Sequence, residues 1–191
     1  MTATMYCAYI FIACYFVIER SLRKGQKALN LKPEDIDAGS SQLLWLGGII
    51  NLLLFVSAPV LNAHQFGYWR NSTIGWLGLA LMVSGLILRY WAAKTLGQFY
   101  TRTLQVRKGQ RIVSCPPYSI IRHPGYLGTL LLVIGAGLAV TNWVVLLIGT
   151  TLGVASRIYR ISVEERLLHD KLNDEYQTYS DRTWRLIPFL Y

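Results

Sequence analysis

Apolar residues dominate four stretches of this chain, at about residues 3–18, 43–61, 74–93 and 127–159. Each reads as membrane-embedded helix. The fourth is 33 residues long. As one straight helix it would reach roughly 50 Å, against a hydrocarbon core of about 30 Å. A helical hairpin turning at Thr141-Asn142, the one polar pair in the run, resolves the excess. Each arm is then short, roughly 14 to 18 residues, so the pair crosses incompletely or thins the bilayer locally. The pattern predicts an all-α integral membrane protein with about five transmembrane helices, including a C-terminal helical hairpin. Residues 161–178 differ: Leu167, Leu168, Leu172, Tyr176 and Tyr179 recur at helical spacing among charges, which predicts an amphipathic helix on the membrane surface.

Punctuation refines the picture. Pro59 is expected to kink or end the second span. Small residues recur inside the spans (Gly75 with Gly78, Ser84 with Gly85, Gly135 with Gly137, Gly149 with Gly153) and allow helices to approach closely in lipid. Ile112-Val113 reads as a short extended piece and Pro116-Pro117 as a stiff turn. Pro124 suits the first turn of a helix and makes His123 its cap-region residue.

Composition agrees with a membrane protein. Hydrophobic residues make up 53% of the 191 and charged ones 15%, where a soluble domain carries about 25% charged. No carboxylate side chain lies between Asp37 and Glu164, and a water-soluble fold of that composition would struggle to stay in solution. The chain reads as one membrane-embedded domain, 1–191, with three N-terminal spans in 1–93 and a basic loop, the hairpin and a C-terminal helix in 94–191. Lys and Arg set the orientation. Arg20, Arg23, Lys24, Lys27 and Lys32 follow the first stretch, and Lys94, Arg102, Arg107, Lys108, Arg111 and Arg122 follow the third. The loop between the second and third holds only Arg70. The N-terminus is therefore expected outside, with the basic loops, the tail and the site facing the cytoplasm.

The first stretch lacks a basic region before its apolar core, which argues against a cleaved signal peptide. The net charge of +9 sits in juxtamembrane loops, where anionic lipid is the simpler counterpart than nucleic acid. Cys7, Cys14 and Cys115 are unpatterned for metal, and His64, His123 and His169 lack ligand spacing, so no metal centre is expected. Glycine-rich phosphate loops, Gly-x-Ser-x-Gly and His-Glu-x-x-His are all absent.

Candidate chemistry concentrates at the mouth of the hairpin. Ionisable groups at such a place are a functional-site hypothesis by default. The acid-free loop suits an anionic or zwitterionic ligand. Backbone amides at the helix start after Pro124 favour a carboxylate. Tyr118 and Tyr126 suit an aromatic base or a sulfonium, and His123 either binds a ligand or caps the helix. Arg160 and Glu164 are four apart on one helix face, directly after the second arm. A guanidinium there can grip a carboxylate through two parallel hydrogen bonds.

Tyr118, Arg122-His123-Pro124, Tyr126 and Gly128, then Arg160 and Glu164-Glu165, and a closing Ile187-Pro188-Phe189 resemble the isoprenylcysteine carboxyl methyltransferases. The resemblance covers residues 98–189. It implies methyl transfer from S-adenosylmethionine to the α-carboxylate of a prenylated cysteine, giving a methyl ester. It also implies that Gln110, Arg111, Ile112, Val113, Tyr118, His123, Pro124, Gly125 and Tyr126 hold the cofactor, and that Arg160 and Glu164 act on the substrate. Gln110 stands where the eukaryotic pattern has His, Gly125 where it often has Ser, and the chain is shorter; these departures bear on the substrate more than on the cofactor. The motif is shared with phospholipid N-methyltransferases and, more loosely, with NADPH-dependent membrane reductases. Both remain alternatives, as does a non-catalytic membrane transport subunit.

Overall fold

The computed structural model describes residues 2–24, 39–100 and 112–191. Among these, five α-helices run in the order α1 (Ala3–Lys24), α2 (Ser40–Ala63), α3 (Ser72–Leu96), α4 (Pro124–Ala139) and α5 (Trp143–Ser180), with a 3₁₀ turn at Gly97–Phe99. Four of them are long and apolar enough to cross a membrane, and α4, at 16 residues, is a shorter apolar helix. Large apolar side chains cover the outside of the bundle, Leu53, Val60, Ile87 and Leu147 among them. The protein is a multi-pass integral membrane protein.

The hairpin forms where the polar pair placed it. Thr141 takes a positive φ of 54°, and Asn142 caps α5 by accepting from the amides of Val144 and Val145 at 3.0 Å each. The Asn142 amide also donates to Asn62 Oδ1 at 2.7 Å and to the Phe66 carbonyl at 2.9 Å. Turn backbone inside an apolar bundle must be satisfied by protein groups, and these two asparagines do so. Beneath the turn lies the main core, where Met5, Phe55, Met82, Leu132 and Val145 meet from all five helices.

Small residues set the tightest contact. A Cβ added to Gly78 would sit 2.6 Å from the Gly135 carbonyl, and one added to Gly128 would sit 2.7 Å from the Gly85 carbonyl. Helices α3 and α4 thus pack backbone against backbone along their length, as expected where apolar burial alone gives no driving force.

Helix boundaries add detail to these expectations. Pro59 does not end α2, which continues to Ala63. The second hairpin arm does not stop at the end of its apolar part: α5 is one 38-residue element, about 57 Å at 1.5 Å per residue. Its apolar, membrane-spanning part is residues 143–159, and the remainder is polar and projects beyond. The predicted amphipathic helix is therefore a continuation of the second arm, because no Pro interrupts the run. The chain breaks helix geometry only at Asn173 (φ 41°, ψ −121°). Residues 174–180 then turn so that Tyr179 donates to the Tyr118 carbonyl at 2.8 Å.

Candidate active site

Pro124 occupies the first helical position of α4, with His123 as the cap residue. The His123 ring does not cap, however. Its Nε2 lies 3.3 Å from Glu165 Oε1, and the ring stacks on Tyr126 with centroids 5.7 Å apart. The backbone around it is anchored by the C-terminal tail: Arg122 N donates to the Trp184 carbonyl at 2.8 Å, His123 N to the Arg185 carbonyl at 3.1 Å, and Trp184 N to the Ile120 carbonyl at 2.9 Å. Residues 120–123 and 184–185 thus form one strap across the mouth of the hairpin.

Glu165 is the hub of this end. Its carboxylate accepts from Arg122 Nε at 2.8 Å, from Arg185 Nε at 2.7 Å and from His123. Arg122 Nη1 donates further to the Ser180 carbonyl at 2.8 Å and to the Thr183 carbonyl. Burial alone would push the Glu165 carboxyl up. The hydrogen bonds and charges of His123 and Arg122 outweigh it and hold the group at about 2. Burial likewise pushes the Tyr118 phenol well above its ordinary value, and the Glu164 carboxylate adds to the shift. That hydroxyl donates to the Ala92 carbonyl at 3.3 Å.

One turn earlier on α5, Arg160 is only 3% exposed. It donates through Nε to the Tyr126 hydroxyl at 3.3 Å, and through Nη1 to Ser40 Oγ at 2.7 Å and Ser41 Oγ at 2.9 Å. The Tyr126 hydroxyl in turn donates to Glu164 Oε2 at 2.9 Å. The phenol therefore links Arg160 to Glu164, tying α2, α4 and α5 together at one point.

A second cluster lies beside it. Arg89 on α3 pairs with Glu19 on α1 at 2.5 Å. It also donates to the Gly125 carbonyl at 2.9 Å and to Thr129 Oγ1 at 2.7 Å, and Tyr100 donates to Glu19 at 3.1 Å. Arg89 and Glu19 were not among the expected site residues. They carry the one signal that could have found them, a charge inside or at the end of an apolar stretch.

The expected site residues fall into two groups. His123, Pro124, Gly125, Tyr126, Arg160 and Glu164 come together at the mouth of the hairpin. Ile112 instead lines a separate open groove of about 490 Å³ with Ser114, Ser119, Glu175, Thr178, Tyr179, Arg182 and Thr183. Val113 follows Ile112 outside any helix, and Tyr118 lies between the two groups. Gln110 and Arg111 lie outside the described residues. Glu165 and Arg122, quoted only as part of a motif, prove to be the centre of the ion network.

A multi-pass helical membrane protein with an arginine–tyrosine–glutamate hydrogen-bond chain at the mouth of its hairpin is the class that fold and site define. Residues 76–170 match the isoprenylcysteine carboxyl methyltransferase (ICMT) family. A probable protein-S-isoprenylcysteine O-methyltransferase of Oryza sativa subsp. indica is 25% identical over 125 residues, 64% of this chain and 64% of the relative. Protein-S-isoprenylcysteine O-methyltransferase B of Arabidopsis thaliana is 26% identical over 147 residues, 76% of this chain and 73% of the relative. The match thus spans just under two thirds of the rice protein. The solved structure of a eukaryotic intramembrane Ras methyltransferase ICMT superposes with a TM-score of 0.62 at 23% identity, covering 77% of this chain and 52% of that one. It shares the fold.

Proposed function

We propose that this protein transfers a methyl group from S-adenosylmethionine to the carboxylate of a lipid-modified cysteine, giving a methyl ester. The observation that carries the reading is the Arg160–Tyr126–Glu164 hydrogen-bond chain at the mouth of the hairpin. The match to that family and the names of the relatives support it.

The groove residues suit such a cofactor. Arg182 can pair with its carboxylate and Glu175 with its ammonium or ribose hydroxyls. Ile112 and Tyr179 offer apolar and aromatic surface for a base, and Ser114, Ser119, Thr178 and Thr183 supply hydroxyls. When bound, the cofactor supplies an electrophilic methyl on a sulfonium, which leaves as a neutral thioether once a carboxylate oxygen takes the methyl.

The protein's own work is then limited. A carboxylate with an ordinary value of about 3.5 is already ionised near neutral pH, so no general base is required. The site must strip its water, align it and keep bulk solvent out. Arg160 fixes Tyr126, Ser40 and Ser41 around the acceptor end, and Glu164 fixes the far side of the Tyr126 hydroxyl. The cytoplasmic placement of this end rests on the Lys and Arg distribution.

Calorimetric titration of the purified protein with S-adenosylhomocysteine and with NADPH tests the cofactor. Saturable binding of the first and none of the second is expected; the reverse would move the protein to the reductase alternative. Methyl transfer to a phospholipid amine, with none to a carboxylate, would overturn the acceptor.

A further inference from the structure

Arg157 stands three positions before Arg160 on α5, so the two guanidiniums share one side of the helix. They differ sharply in partners. Arg160 is engaged by Tyr126, Ser40 and Ser41. Arg157 Nη1 donates only to the Gly153 carbonyl at 2.9 Å, one helical turn back on its own helix. Its Nε is buried and has no hydrogen-bond partner.

No carboxylate among the described residues lies within ion-pair distance of Arg157. The groups that reach it electrostatically from other helices are Tyr15 on α1, Arg89 on α3 and Tyr126 on α4. Arg89 already has its counter-charge in Glu19, so this part of the site holds one positive charge in excess. An uncompensated guanidinium inside an apolar bundle is costly. A leucine or glutamine at this position would relieve that cost, so the free donor points to an anion that arrives with a ligand.

The surrounding helices allow the approach. In the half of the bundle near the hairpin turn, α1 and α2 touch: Tyr9 donates to the Phe55 carbonyl at 3.1 Å and their rings lie 4.6 Å apart. Toward the site end they attach to different neighbours. Glu19 ties α1 to α3, whereas Ser40 ties α2 to α5. Arg157 lies on α5 at the level of this divergence, is half-buried, and is reached electrostatically by Tyr15 and Tyr126.

We propose that Arg157, through Nε and an adjacent terminal nitrogen, is the residue that grips the carboxylate of a membrane-borne acceptor, with Arg160 as a positioning residue behind it. The planar fork suits two parallel bonds to a carboxylate. This rests on the carboxyl methyl transfer proposed above and assigns the contact that selects a free acid over an ester. An ester product cannot keep the charge-assisted bonds, so the same contact favours its release.

The test compares N-acetyl-S-farnesylcysteine with its methyl ester, binding to the full chain in detergent. Wild type should prefer the acid by at least about tenfold, the scale of one charge-assisted hydrogen bond. Arg157→Gln should bind acid and ester alike while ester affinity stays unchanged, and Arg157→Lys should keep part of the preference. Arg160→Gln should keep the preference and lose turnover. If Arg157→Gln does not fold, Arg157→Lys and Arg157→Met are read in the same way.

Equal binding of acid and ester by wild type, or a preference that survives in Arg157→Gln, overturns the assignment. Methyl transfer with that outcome would leave the proposed activity standing. Binding of neither ligand and no methyl transfer would remove both. Displacement that follows the phosphatidylglycerol content of the micelles, and not the acid, would assign Arg157 to a headgroup phosphate and overturn the proposal.

Discussion

Replacing Glu165 with Ala should loosen the whole mouth of the hairpin. The carboxylate serves three partners, and two of them are buried: the Arg122 and His123 side chains are 9% and 5% exposed. Removing one member of a buried ion pair costs about 3–5 kcal/mol, because the other charge is left without compensation. The lower end applies here, since Arg122 keeps the carbonyls of Ser180 and Thr183. Arg185 is 43% exposed and adds little, as surface pairs are worth about 0–1 kcal/mol. A loss of about 3 kcal/mol corresponds to a fall in Tm of about 6–12 °C for a chain of this size. Glu165→Gln, which keeps the shape and one acceptor oxygen, should cost less than half as much. Thermal unfolding of the detergent-solubilised protein by tryptophan fluorescence reads both, and a fall below about 2 °C for Glu165→Ala would refute the ion-network reasoning.

The same residue fixes a pH dependence. Its folded value of about 2 lies below the ordinary carboxyl value of about 4.3. Its contribution is therefore complete above the ordinary value and disappears as pH falls through the folded one. Between about pH 4.5 and 2 the wild-type Tm should fall more steeply than that of Glu165→Gln. Parallel profiles would show that Glu165 carries no such linkage.

Three further outcomes follow from the geometry. Arg160→Ala should lower kcat for methyl transfer by about 10²–10³, equivalent to several kcal/mol of transition-state stabilisation. Affinity for the acid and for S-adenosylhomocysteine should stay within about threefold of wild type, and near-normal turnover would return Arg160 to a structural role. Gly78→Ala should cost about 1–3 kcal/mol, because the added Cβ meets backbone of Gly135 and Ala139; an unchanged Tm would mean that α3 and α4 are not held so closely. Cysteines introduced at Gly67 and Gln105 should react with impermeant reagent from opposite sides of the membrane, and labelling from one side alone would overturn the cytoplasmic assignment of the site.

Legibility in the sequence followed physical range. The hairpin was readable because Thr141-Asn142 is a polar pair in apolar surroundings, and Asn142 does satisfy the turn. Close α3–α4 packing was readable from glycines at helical spacing, though not which glycine meets which, since that depends on register between distant segments. The amphipathic segment was legible as helix but its continuity with the second arm was not, because amphipathicity reports which face is buried and not where a helix begins. In the site, Arg160 and Glu164 were legible as neighbours on one helix. The Tyr126 hydroxyl that joins them, and the Ser40 and Ser41 hydroxyls that occupy Arg160, come from segments up to 120 residues away, and no local pattern announces them. Arg89, Glu19 and Arg157 stood in plain view as charges at the edges of apolar runs, but their pairing, or lack of it, is a tertiary fact.

Carboxyl methyl transfer is met directly by one assay. Purified protein is incubated with S-adenosylmethionine carrying a tritiated methyl group and with N-acetyl-S-farnesylcysteine, and the lipid product is extracted and treated with base. Label that enters the farnesylcysteine and is released by base as methanol, with none entering the corresponding carboxamide, is the predicted result. Folded protein that binds S-adenosylhomocysteine yet labels no carboxylate, or that places a base-stable methyl on an amine, would contradict it.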